Sequence, residues 1–155
     1  MRRLIIVSAS LRRSKEPLDP IPAIDRFNGV YFRIIKKYKR EGKLQDTDCI
    51  IVSKKFGIIY PTEKVPYYEP DHINKFGHLD MNGNQIKKLR RKNLAKLKEI
   101  FATTEYSEIF VNVGKEFMEL IKGFEKLTSA KIIYASGRGL GPKAQHLKKW
   151  ILYDK

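Results

Sequence analysis

The chain has 155 residues, with 32 Lys plus Arg against 17 Asp plus Glu and a formal charge of +15. That length fits one domain, residues 1–155, with a real core. Solubility alone does not require so much charge of one sign, and such a field favours nucleic acid, an anionic membrane surface or a phosphorylated small molecule as partner. No apolar run approaches the roughly 20 residues that span a bilayer, and the amino end lacks the apolar core of a signal peptide, so no membrane partner is expected and a cytoplasmic protein is.

At the amino end "RLIIVSAS" is a run of β-branched residues closing in small polar ones, the pattern of a buried strand that opens into a loop. Leu11 to Pro22 holds three prolines and cannot be helical through most of its length. From Ile24 the spacing becomes helical, with Phe27, Tyr31, Ile34, Ile35 and Tyr38 on one face and cations mostly on the other. "CIIVS" (Cys49 to Ser53) is a second buried strand, and Lys54 to Gly57 forms the loop at its carboxyl end. Cys49, the single cysteine, reads as a small buried hydrophobe. Ile58 to Asn84 is irregular and too long for a bland connector.

A second helix is predicted from about Gln85 to Phe101, with Ile86, Leu89, Leu97 and Ile100 at helical intervals. "EIFVNVG" and "KIIYAS" supply two further strands, separated by a helix beginning near Lys115, and a last helix follows "SGRGLGPK". This alternation predicts an α/β fold, a mostly parallel sheet of about four strands with helices on both faces. In that architecture the loops at the carboxyl ends of the strands gather on one edge and form the ligand site. They are Ser8 to Arg13, Ser53 to Gly57, Gly114 to Lys115, and Ser136 to Gly141.

Three of those loops are basic. Ser8 and Ser10 stand with Arg12 and Arg13, a set suited to a phosphate or the edge of a base. Ser53 is followed by Lys54 and Lys55. In "SGRGLGPK", Arg138, Gly139 and Gly141 precede a helix start whose free amides can hold an anion, although the spacing matches neither a dinucleotide fingerprint nor a P-loop. The competing reading is a tight turn whose glycines only permit close packing. Within "NQIKKLRRKNLAKLKE", seven cations precede the first acid, Glu99, and Lys88, Arg91 and Lys92 are the expected phosphate contacts. Tyr67 and Tyr68 offer stacking faces for bases. Glu69, Asp71, His72, His78 and Asp80 cluster acids with histidines, yet their spacing is that of no specific metal site, and neither a metal nor a cofactor is expected. Few glutamines and many Lys, Ile and Glu make a heat-adapted composition.

Taken together, "VSAS", "DRFNGVYFR", "SKKFGII" followed by "PYY", and "GRGLGPKAQHLKKW" resemble a widespread family of uncharacterised small α/β domains distantly related to the YaaA peroxide-stress proteins. The matching positions are Ser8, the Ser-x-Lys-x-Gly step of Ser53, Lys55 and Gly57, the Pro66–Tyr67 step, and the Gly139–Leu140–Gly141 turn. YaaA-like proteins are associated with DNA binding through a basic cleft, so the resemblance implies a nucleic-acid partner. The chain is much shorter than they are and has no segment matching their extra DNA-binding elements, so duplex or junction binding is not implied. The "SAS…RR" loop is more faintly similar to enzymes that exchange or modify deazaguanine bases in transfer RNA.

The expectation is a protein that binds DNA or RNA, with chemistry on a base or its glycosidic bond as an extension. Catalysis would rest on Asp25 stabilising a sugar cation, on Ser53, and on Lys55 as an imine-forming or charge-stabilising amine. The rivals are an enzyme acting on a nucleotide or other phosphorylated metabolite, and a basic subunit of a nucleoprotein complex without chemistry of its own.

Overall fold

The computed structural model describes residues 1–10, 13–68 and 81–153. Strands β1 (Arg2–Ser8), β3 (Thr47–Ser53), β6 (Tyr106–Asn112) and β7 (Lys131–Tyr134) run parallel, and β4 (Gly57–Ile59) adds an antiparallel edge, in the order β4-β3-β1-β6-β7. A two-residue strand, β2 (Ile21–Pro22), pairs with β5 (Lys64–Val65) outside this sheet. The parallel sheet expected from the alternation is present. The antiparallel edge was not foreseen, because "GII" is too short to stand out from the irregular region around it.

Central position explains the composition of β1. Leu4, Ile5, Ile6 and Val7 are all fully buried, since successive side chains enter opposite faces and both faces are covered. On one face Ile5, Val7, Ile51 and Phe110 pack with helices α2 (Val30–Arg40) and α5 (Leu140–Tyr153). On the other, Leu4, Ile6, Val52 and Ile109 pack with α3 (Gly83–Thr103) and a short 3-10 helix, Phe124–Leu127. The helix expected from Ile24 is split into α1 (Ala23–Arg26) and α2, with Phe27 extended between them. The helix expected near Lys115 is only the single turn α4 (Lys115–Met118).

Several polar groups tie helices to the sheet. Arg3, 4% exposed, stacks its guanidinium 3.8 Å from the Trp150 ring centre and donates to the Trp150 carbonyl at 2.9 Å, closing the carboxyl end of α5. Asn93 is buried on α3, where its Oδ1 accepts from Ile58 N and its Nδ2 donates to Leu120 O, each at 3.0 Å. Gly57 sits directly under that amide at φ +73°, and a Cβ there would lie 2.5 Å from Asn93 Oδ1, so the position requires glycine. Arg26 is fully buried, and its guanidinium donates to the carbonyls of Ser14, Asp19 and Val65. It holds the proline-rich loop against β5.

Candidate nucleic-acid interface

Because β1, β3, β6 and β7 are parallel, the loops that follow them meet on one edge of the sheet. There the serines tie the loops together. Ser8 Oγ accepts from Gly114 N at 3.3 Å, linking the ends of β1 and β6, and Ser10 Oγ accepts from Gly29 N at 3.3 Å, linking the first loop to the start of α2. Ser53 is fully buried and its Oγ accepts from Phe56 N at 2.8 Å, closing the turn between β3 and β4.

Cations and aromatic rings are gathered beside these serines. Arg13 Nη1 donates to the Tyr68 carbonyl at 3.2 Å, and its guanidinium lies 4.1 Å from the centre of the Tyr68 ring. Lys55 Nζ is 4.6 Å from the same ring centre, and Phe56 meets Tyr68 edge-on at 5.5 Å. Tyr67 is pinned through its backbone, its N donating to Leu18 O at 3.3 Å, with the Arg26 guanidinium 6.0 Å from its ring centre. Phe56 also lines a shallow cleft of about 240 Å³ with Lys64 and, from α3, Lys92 and Lys96. This cleft, which Glu63 also lines, sets Phe56 beside the basic helix.

Helix α3 starts at an Asn82 capping box and sorts its cations by side. Arg90 bonds Glu119 at 2.9 Å, and Lys96 Nζ donates to Ile58 O at 2.7 Å with Glu63 at 3.4 Å, so both serve packing. Lys87, Lys88, Arg91, Lys92 and Lys98 are exposed and form no ion pair among the described residues.

In the last loop, Arg138, Gly139 and Gly141 are exposed, and Arg138 forms no ion pair among the described residues. The turn itself depends on Gly137 and Gly139, at φ +114° and +81°. A Cβ on Gly137 would sit 2.4 Å from Pro142 Cβ, whereas nothing lies within 4 Å of one on Gly141. At Gly137 the loop is a tight packed turn, and Arg138 is exposed on it.

Asp25, Ser53 and Lys55 share no hydrogen bond or ion pair among the described residues. Asp25 is half exposed on α1 and pairs with Lys36 at 3.7 Å. Of the three, Lys55 alone is exposed at the aromatic cluster. Arg12 and the Glu69, Asp71, His72, His78 and Asp80 cluster lie outside the described residues.

Three residues that the sequence reading passed over also meet on this edge. Asn112, at the end of β6, is 5% exposed, with its side-chain amide against the Tyr31 hydroxyl. Beside it stands Tyr31 of α2. Burial pushes the Tyr31 hydroxyl above the ordinary range, and the Asn112 amide opposes that shift. His146 of α5 accepts from Ser136 N at 3.0 Å through Nδ1, which is also 3.1 Å from Ser136 Oγ, and its ring meets Phe110 edge-on. Asn112 inside "EIFVNVG" gave the one available signal, a polar residue set between apolar ones.

Away from this edge, Cys49 was expected to be buried but is only partly so, packed against the core rather than within it, and desolvation pushes its thiol up to about 12. No helix among the described residues is long and apolar enough to cross a membrane. Comparisons with protein-family models, with curated proteins and with solved structures found no match to the chain.

Proposed function

We propose that the protein binds nucleic acid in the cytoplasm, along the track that begins at Arg13, Tyr68 and Lys55 and continues over the exposed cations of α3. The observation that carries this reading is the continuity of that track. Arg13 and Lys55 stand over one tyrosine ring, Phe56 joins that ring to the cleft lined by Lys92, and the outward row of α3 follows. Cations in a row suit a phosphate backbone, and an aromatic ring among them suits a base that has left its stack, the arrangement used for single strands. A small phosphorylated metabolite would engage the loops and leave the helix row unexplained. The resemblance of the motifs to YaaA-related domains points to the same partner. Lys55 is the group placed to act on a base stacked at Tyr68, whereas Asp25 and the buried Ser53 carry no part of this reading.

Titration of labelled single-stranded RNA, single-stranded DNA and duplex DNA at low salt tests it. The expected result is binding that weakens steeply as salt rises, with a single strand preferred over the duplex. No binding to any of the three overturns the reading.

A further inference from the structure

Strand β4 flanks only the carboxyl half of β3, where the pairing runs from Ile51 with Ile59 to Ser53 with Gly57. Arg3 N donates to Asp46 O and Ala9 N to Val52 O, each at 2.9 Å, so the even-numbered residues of β3 turn their main-chain groups toward β1. Those of Cys49 and Ile51 point to the other side, because the direction alternates along a strand. Ile51 meets Ile59 there, and the same register sets Pro61 opposite Cys49. Pro61 has no N–H to give, and its carbonyl already accepts from Ile24 N at 3.1 Å. The ladder ends at that point, and the N–H and C=O of Cys49 face a cavity of about 410 Å³ that Cys49 and Pro61 both line.

This cavity takes the place of a further strand beside β3. Ile35 and Leu44 wall it on the α2 side of the sheet, and Ile100 walls it on the α3 side. Lys39 lines it as well, exposed and in no ion pair among the described residues, near enough to Cys49 for its charge to oppose the rise of the thiol. The one carboxylate on the lining, Asp48, is engaged by Arg2 and by the Tyr106 hydroxyl.

We propose that this cavity binds a nucleoside 5′-monophosphate, its base lying in the plane of the sheet against the main chain of Cys49 and its phosphate meeting Lys39. The edge of a base presents a donor beside an acceptor, which is the complement of the N–H and C=O of one strand residue. Its flat faces fit between the apolar walls, and an apolar cavity with a few converging polar groups is the usual form of a small-molecule site. A peptide strand is less well served, because Thr47 N is bonded to Leu44 O at 3.2 Å and the edge offers no complete second rung. The site lies toward the amino ends of β3 and β6, across the sheet from the loops of Arg13 and Lys55, and does not depend on the nucleic-acid reading.

The test follows the main-chain amide resonance of Cys49 by 1H–15N NMR in the full chain. Adenosine, guanosine and uridine 5′-monophosphates, their free nucleosides, ribose 5-phosphate and trialanine are added separately. At least one nucleotide is expected to shift that resonance to saturation and to bind at least tenfold more tightly than its own nucleoside or ribose 5-phosphate. The same nucleotide with methyl groups in place of the donor hydrogens on its base edge is expected to bind at least tenfold more weakly. Lys39→Gln, at an exposed position, is expected to weaken the nucleotide at least fivefold and to leave the free nucleoside unchanged.

No shift at Cys49 with any nucleotide, an equal affinity for ribose 5-phosphate, or an unweakened methylated nucleotide overturns the proposal. So does an unchanged nucleotide affinity in Lys39→Gln. Shifts confined to the amides of α3 would place the nucleotide on the exposed cations and overturn it too, and a response to trialanine alone would assign the edge to a peptide strand instead.

Discussion

Replacing Lys88, Arg91 and Lys92 together with Ala removes the middle of the outward row on α3. From Lys87 to Lys98 that row covers about 16 Å at about 1.5 Å per residue, and one strand of B-form DNA advances about 3.4 Å per phosphate, so the row can face about five phosphates. With one contact per cation, log K against log salt should slope about −4.5 on duplex and about −3.5 on a single strand from this row alone. The triple variant keeps two of the cations, which leaves about −1.8 and about −1.4. Raising salt fourfold would then weaken wild-type duplex binding about 500-fold through the row, against about 12-fold in the variant. Because the three side chains are exposed and form no ion pair among the described residues, stability should move by no more than about 0.5 kcal/mol. Fluorescence anisotropy with a labelled oligonucleotide at several salt concentrations gives the slopes, and thermal melting checks the fold. A variant slope equal to that of wild type, on an intact fold, would refute the row as a phosphate contact.

Ser53→Ala removes the buried acceptor of Phe56 N and should lower stability by about 1 kcal/mol in urea denaturation, and an unchanged midpoint would leave the turn closure without energetic meaning. Gly137→Ala should destabilise by more than about 1 kcal/mol, since it meets both a positive φ and Pro142, whereas Arg138→Ala should keep the melting temperature and make the duplex salt slope about 0.9 shallower. Equal melting temperatures for the two variants would contradict the packed turn. At acid pH the group to follow is Asp48. Burial raises its carboxyl, but the hydrogen bonds from Arg2 and from the Tyr106 hydroxyl at 2.7 Å outweigh burial and hold it below its ordinary value. A depressed carboxylate contributes stability that is complete above its unfolded value, about 3.9, and is lost as pH falls through the folded one. Asp48→Asn should therefore lower stability at neutral pH, and its difference from wild type should shrink below about pH 4. A difference constant from pH 7 to pH 2 would rule that out.

Local pattern determined much of the architecture. The runs "RLIIVS", "CIIVS" and "EIFVN" are strands because a sheet covered on both faces hides such continuous apolar sequence, "KIIY" forms a partly exposed edge strand, and their alternation with amphipathic segments makes the sheet mostly parallel. Parallel strands bring the loops at their carboxyl ends to one edge, so the region of the candidate site was legible as well. The partner of each side chain was not. Lys92 and Lys96 are alike in sequence and, four residues apart, line one cleft, yet Lys96 donates to Ile58 O while Lys92 stays exposed. Ser53 and Ser10 look like ligand groups until their distances to Phe56 N and Gly29 N are known. Asn112 looks like any polar residue at the end of a strand, and only the packing of Tyr31 over β6 buries it against that hydroxyl. Hydrogen bonds and burial depend on residues brought together from distant parts of the chain, and that information resides in the tertiary structure alone.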